Sequence, residues 1–259
     1  MEPDAIYIIL AGLLGAVFGS FLNVCILRWG AEPKQSVVRP ASRCPKCGAG
    51  LRWHDNIPVV SWLVLRARCR GCGEPISIQY PLVELATALL WAFMVWRYGP
   101  GLEAARGAVF GTILLGIAMT DARAYIIPDE FTLGGLVVGI VFALAAGRQP
   151  LITAVLGAAV GFGLLWLVAI LGEWMFKQEA MGGGDIKMMA MVGAFLGWQG
   201  TLLTIFLGAL IGSLIFVPLT LAGHKKLVPF GIFLAIGAGA TYLVGPALLA
   251  WYGGFVGRA

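Results

Sequence analysis

The sequence predicts an all-α polytopic membrane protein, and its composition is the first reason. Of the 259 residues, 59% are hydrophobic and only 12% are charged, against about 45–50% and about 25% in soluble domains. The mean hydropathy is +0.89. So few charges cannot cover a water-soluble surface, which excludes secreted, cytosolic and disordered proteins. An outer-membrane β-barrel is also excluded, because alternating strands keep overall hydropathy modest.

Long apolar runs are the second reason for this fold class. A helix needs about 20 apolar residues to cross the hydrocarbon core, and it satisfies its own backbone there. The 37 glycines fit close packing between membrane helices. We therefore expect about eight transmembrane helices, near residues 5–27, 81–97, 105–121, 130–147, 151–172, 186–199, 200–222 and 229–252.

The distribution of basic residues predicts which loops face the cytoplasm. Nine of the 18 lysines and arginines lie in the single segment 28–80. With this segment in the cytoplasm, the eight spans place 14 basic residues inside and four outside, which follows the positive-inside rule. Both termini then lie outside the cytoplasm. The net charge of +5 is therefore explained by membrane orientation, and we expect no nucleic-acid partner.

Segment 28–80 is polar and carries two CxxC pairs, Cys44/Cys47 and Cys69/Cys72, each followed by a glycine. Four thiolates at this spacing are typical of a structural zinc site of ribbon type, since each short pair can reach one tetrahedral centre. The alternative is two disulfides or idle thiols, which a cytoplasmic location disfavours. A loop with so few aliphatic residues also needs a staple to fold. The sequence thus predicts a zinc-stapled cytoplasmic loop.

Carboxylates at membrane spans are costly and are functional candidates for that reason. Asp121 ends the third predicted span, and Asp185 follows three glycines before the sixth. Both fall at cytoplasmic helix ends, so they could meet as an aspartyl dyad that shares a proton and activates water. The alternative for Asp121 is a helix-end acid paired with Arg123.

Two further acids have weaker assignments. Asp129 follows Pro128 at the start of the fourth predicted span, and we interpret it as a first-turn acid favoured by the helix dipole. Glu84 lies early in the second span. It is either a buried hydrogen-bonding residue or a contact to a ligand held by the loop, and it is the one weak candidate for cofactor binding.

These motifs, in this order, resemble those of the bacterial type 4 prepilin peptidases, which are leader peptidases and N-methyltransferases of the GxGD aspartyl protease class. The resemblance runs nearly end to end. It is carried by GSFLNV at 19–24, CPKC at 44–47, CRGC at 69–72, YPLVE at 80–84, the D-x6-PD element at 121–129 and GxGD at 182–185.

The resemblance implies roles for individual residues. Asp121 and Asp185 would be the catalytic aspartates, and Asp129 would lie outside that pair. Cys44, Cys47, Cys69 and Cys72 would be the metal ligands. The implied substrates are prepilins or pseudopilins of a type IV pilus or type II secretion system. Their basic leader would be cut after a glycine, and the new N-terminus would be methylated with S-adenosylmethionine.

This interpretation divides the chain into a first helix at 1–27, a cytoplasmic zinc-binding loop at 28–80 and a seven-helix core at 81–259 that carries the protease site. We expect a bacterial cytoplasmic membrane location, with the loop and the active site facing the cytoplasm and basic loop residues contacting anionic lipid. The alternatives are a membrane assembly scaffold with a zinc loop and a proton-coupled transporter. The sequence does not indicate the oligomeric state.

Overall fold

The computed structural model describes residues 4–178, 181–221 and 229–256, and in these ranges the chain is helical with no strand. A short 3-10 turn, Trp53–Asn56, and two isolated β-bridges lie in the loop after the first helix. The prediction of an all-α fold is confirmed. The α-helices are α1 Ala5–Trp29, α2 Val60–Val64, α3 Gln79–Tyr98, α4 Leu102–Ala124, α5 Asp129–Ala146, α6 Arg148–Phe176, α7 Gly183–Leu221 and α8 Phe230–Val256.

Six of these helices are long and apolar enough to cross a membrane: α1, α4, α5, α6, α7 and the stretch Phe230–Gly254 of α8. The chain is thus a multi-pass membrane protein. The 20-residue α3 corresponds to the second predicted span but is not among the six. The predicted count of eight is therefore not confirmed. Lys225 and Lys226, two of the 14 residues assigned to the cytoplasm, lie outside the described residues.

Helix α7 combines the two predicted spans 186–199 and 200–222 and breaks at Gly197, whose φ is 70°. Gly161 of α6 contacts α7 on both sides of this break, because a Cβ at Gly161 would lie 2.7 Å from the carbonyl carbon of Met189 and 3.1 Å from Cγ2 of Thr201. Met189 and Thr201 are therefore close together. In a continuous helix their twelve-residue separation would span about 18 Å, so the chain must reverse at Gly197. The first arm, 183–196, is about 21 Å long, less than the roughly 30 Å hydrocarbon core.

The chain forms two compact units, Met1–Thr112 and Ile113–Ala259. In the first unit, α1 packs against α3. Gly15 and Gly19 permit this contact, because a Cβ at either position would come within 2.7 Å of the backbone of α3. The division at residues 28 and 80 was predicted on functional grounds and stays a prediction.

In the second unit, α7 packs against α5, α6 and α8. The crossing of α6 and α7 is made by glycines, since a Cβ at Gly157 would lie 2.7 Å from the backbone of Gly197 and would overlap the carbonyl of Gly193. Small residues allow such close approach of membrane helices. This packing fixes the later part of the first arm of α7, and Asp185 lies at the start of that arm.

Candidate active site and metal centre

Asp121 lies in the last turn of α4 and is 5% exposed. Its Oδ2 accepts a hydrogen bond of 3.1 Å from the backbone N–H of Ile232, in the first turn of α8. The first N–H groups of a helix have no partner within the helix and carry partial positive charge. The start of α8 therefore holds and orients this carboxylate.

Asp185 lies in the first turn of α7. It is close enough to Asp121 for the two carboxylates to interact as like charges, although 64 residues separate them in the chain. Its Oδ1 is buried, and no group among the described residues donates a hydrogen bond to it. The structure thus places the two acids within reach of each other's charge, and their action as a catalytic pair stays a prediction.

Two close carboxylates can share one proton, because ionising both in a confined site is costly. One can then take a proton from water while the other donates a proton to a leaving group. The buried Oδ1 of Asp185 is an acceptor left open for water or for a protonated partner. This arrangement suits hydrolysis by general acid–base chemistry.

Glycines line the approach to both carboxylates. A Cβ at Gly231 would lie 2.8 Å from Oδ2 of Asp121 and 2.7 Å from Cδ1 of Ile127. A Cβ at Gly184 would lie 2.9 Å from Cβ of Ile127, and one at Gly182 would lie 3.3 Å from Oδ2 of Asp185. The space around the pair therefore excludes a side chain at Gly184 and at Gly231 and is tight at Gly182.

The glycines before Asp185 provide a matched test of this crowding. We expect Gly184→Ala to lower hydrolytic activity by about tenfold or more, since displacing a reacting group by about 1 Å can cost 100-fold. Gly183→Ala should leave activity within about twofold of the wild type, because its Cβ meets nothing within 4 Å and alanine favours the helix. Initial rates at equal enzyme concentration measure both. Equal losses in the two variants would contradict the assigned contact.

Asp129 lies outside the pair, in the first turn of α5 after Pro128, as predicted. Its Oδ1 accepts a 2.7 Å hydrogen bond from Nζ of Lys187 in an ion pair. Sequence reasoning missed this partner. The available signal was a single lysine two residues after Asp185 in an otherwise apolar helix.

The four cysteines of the loop converge, with all four Sγ atoms within 4.8 Å of one another. The Sγ atoms of Cys44 and Cys72 are 3.9 Å apart, and those of Cys47 and Cys69 are 4.0 Å apart. Four sulfurs at about 2.3 Å from a tetrahedral Zn²⁺ would be about 3.8 Å apart. The spacing of the cluster therefore fits a zinc ion, and the cluster contains all four cysteines predicted as ligands. That they bind zinc stays a prediction.

The two CxxC pairs have the same backbone geometry. In each pair the glycine after the second cysteine, Gly48 or Gly73, has a positive φ of 71° or 75° and donates its N–H to the first cysteine's carbonyl at 2.9 Å. Such a φ is easiest for glycine. Backbone hydrogen bonds from Cys47 and Lys46 lower the pKa of Cys44 to about 6, which favours the thiolate that a metal ion requires.

An ion pair joins this cysteine cluster to the rest of the loop. The guanidinium of Arg70, between Cys69 and Cys72, donates hydrogen bonds of 3.0 and 2.7 Å to Oδ1 of Asp55. This interaction with Arg70 lowers the pKa of Asp55. The 3-10 turn that contains Asp55 is thereby joined to the second CxxC pair.

Glu84 is 6% exposed and lies on α3. Its Oε2 accepts a 2.7 Å hydrogen bond from the backbone N–H of Val59, and Ser20 of α1 also hydrogen-bonds to the carboxylate. Val59 has a φ of +61°, a strained conformation for a β-branched residue. These contacts make Glu84 an anchor of the loop on α1 and α3.

Comparison with known families assigns both parts of the chain. Residues 13–98 match the family model described as the bacterial peptidase A24 N-terminal domain. Residues 108–217 match the model of the type IV leader peptidase family. The first range contains the four cysteines and Glu84, and the second contains Asp121, Asp185 and the Asp129–Lys187 pair.

Curated relatives agree with these matches. A prepilin leader peptidase/N-methyltransferase of Pseudomonas putida is 37% identical over 96% of this chain and 94% of its own length. The corresponding protein of Aeromonas hydrophila is 36% identical over 95% of this chain and 94% of its own length. One of Myxococcus xanthus is 43% identical over 81% of this chain, a region that spans 62% of that relative. No solved structure gives a significant match.

Proposed function

The chain belongs to the type IV leader peptidase family, and from this premise we propose that it is an intramembrane aspartyl endopeptidase. Its substrates would be prepilins or pseudopilins, as the names of its relatives indicate. Cleavage would remove a short basic leader after a glycine. The observation that supports the proposal is that Asp121 and Asp185, from different helices of one compact unit, lie within reach of each other's charge.

In the proposed mechanism the two aspartates share one proton before the reaction. The ionised carboxylate takes a proton from a water molecule that attacks the scissile carbonyl, and the protonated carboxyl donates its proton toward the departing amine. The Ile232 N–H keeps Oδ2 of Asp121 fixed through this exchange. The glycines at 182, 184 and 231 keep side chains of their own out of the space beside the pair.

We also propose that the chain methylates the new N-terminal amine. S-adenosylmethionine would supply the methyl group from its sulfonium sulfur. The contact predicted for this donor, Glu84, stays a prediction. Its carboxylate is engaged by Val59 and Ser20, which fits an anchor better than a ligand contact, and we derive no methyl-transfer step through it.

Zn²⁺ would be held by Cys44, Cys47, Cys69 and Cys72 with a structural role, because four thiolates leave no open coordination position. We place the enzyme in the bacterial cytoplasmic membrane, with the loop and the aspartates on the cytoplasmic side. The nine basic residues of segment 28–80 would then lie near anionic lipid headgroups. The scaffold and transporter alternatives have no support from the relatives, which are named as enzymes.

The proposed function is tested by mass spectrometry of a prepilin incubated with the purified protein and S-adenosylmethionine. We expect a chain that has lost its leader and gained one methyl group. A shortened but unmethylated product would support the peptidase and contradict the methyltransferase. An intact prepilin, beside full processing by a relative such as the Pseudomonas putida enzyme, would contradict both activities.

A further inference from the structure

The ion pair between Lys187 and Asp129 has no part in the proposed proton transfers. Each of its members nevertheless follows one of the two aspartates closely in the sequence, Lys187 after Asp185 and Asp129 after Asp121. Its Nζ–Oδ1 distance is 2.7 Å, and the two side chains are 38% and 46% exposed. A half-exposed pair of this kind contributes little to global stability, because water and salt screen it. If removing the pair has a large effect on activity, that effect must come from the groups that the pair holds in position.

Lys187 is two residues after Asp185 in the first turns of α7. Successive helical residues are about 100° apart around the axis, so two residues differ by about 200° and point to opposite sides. Asp185 faces Asp121, the last acid of α4, whereas Lys187 binds Asp129, the first acid of α5. The start of α7 thus faces Asp121 on one side and Asp129 on the other, and these two acids flank residues 122–128, the end of α4 and its connection to α5.

The two contacts act in opposite directions. Asp121 and Asp185 repel each other whenever both are ionised, which pushes the start of α7 away from α4. The Lys187–Asp129 pair attracts the same turn toward the beginning of α5. Gly184 lies against Ile127, so the first turn of α7 is in van der Waals contact with the connection between α4 and α5, which precedes Asp129.

We propose that the Lys187–Asp129 ion pair is a positioning contact that holds the first turn of α7 against residues 121–129 and thereby sets the approach of Asp185 to Asp121. The proposal rests on the proposed aspartyl protease function. Lys187 and Asp129 are positioning residues here. The ammonium group is engaged by Asp129, and the proposal gives it no proton transfer in the reaction.

The test compares Lys187→Met, Asp129→Asn and the charge exchange that combines Lys187→Asp with Asp129→Lys. We expect each single change to lower kcat for prepilin cleavage by about tenfold, since a displacement of about 1 Å can cost 100-fold, with KM within about twofold. The exchanged pair should recover to within about threefold of the wild type. Arg148→Met removes an exposed cation from the same unit and should leave kcat unchanged.

Hydrogen exchange on the same variants gives a second readout that does not need activity. Amides of residues 187–191 donate within α7 to carbonyls of its first turns, so they should exchange faster in both single variants and regain protection in the exchanged pair. If the wild type fails to cleave prepilin, the proposed function fails while this readout still tests the positioning contact. Wild-type rates and protection in Lys187→Met would overturn the proposal. An exchanged pair as impaired as the single variants would also overturn it, because Lys187 would then act through its own positive charge and not through its pairing with Asp129.

Discussion

Replacing Asp121 or Asp185 with asparagine is expected to lower leader cleavage by a factor of about 10³ or more, because general acid–base groups contribute about 10²–10⁴ each. Neither asparagine can share a proton with the remaining carboxylate. The loss should appear in kcat, and the double variant should be scarcely worse than either single variant, since the pair acts as a unit. Mass spectrometry of prepilin over a time course measures all three rates.

The fold should survive these changes, which separates catalysis from stability. Asparagine has nearly the shape of aspartate, and it removes one of two like charges from a confined site. Thermal unfolding in detergent should therefore occur at or above the wild-type temperature. Glu173→Gln is the matched control, because Glu173 is an exposed carboxylate in the same unit. This variant should cleave prepilin at the wild-type rate. Substantial cleavage by either aspartate variant would refute the dyad.

Much of this site could be predicted from sequence because its signals are local. The CxxC spacing limits where the sulfurs can lie, and the glycines after each pair have the positive φ that such a turn requires. Asp121 and Asp185 follow from the cost of acids at membrane helix ends. Each inference needs only a few neighbouring residues and a general physical rule.

The missing parts depend on tertiary contacts. The N–H of Ile232 that holds Asp121 comes from a helix that begins more than 100 residues later, and a backbone donor has no signature in the sequence. Lys187 is one of the 14 basic residues that the sequence assigns to the cytoplasm, and nothing in the sequence links it with Asp129, with which it pairs across 58 residues. The break in α7 was expected near residue 199. It occurs at Gly197, one of several glycines that hydropathy alone cannot rank.

Replacing Cys69 with serine is expected to release the metal ion from the loop. The affinity for zinc should fall by at least about 10–100-fold, since losing even an outer partner of a metal ligand costs that much, and the zinc content of the purified variant should fall below that of the wild type. Only three Sγ ligands would remain for the metal ion. The two equivalent turns at residues 44–50 and 69–75 would then no longer be linked through a shared metal ion. Elemental analysis of the purified variant measures the loss.

The same variant separates the two proposed activities. The aspartates belong to the unit Ile113–Ala259, and the cysteines belong to Met1–Thr112, so we expect methylation to fall by more than cleavage. Cys25→Ala is the control, because Cys25 is a buried thiol of α1 outside the cluster and should retain both zinc and activity. Wild-type protein without zinc would contradict the metal site. Parallel loss of both activities in Cys69→Ser would mean that the metal-held loop supports the whole enzyme rather than methylation alone.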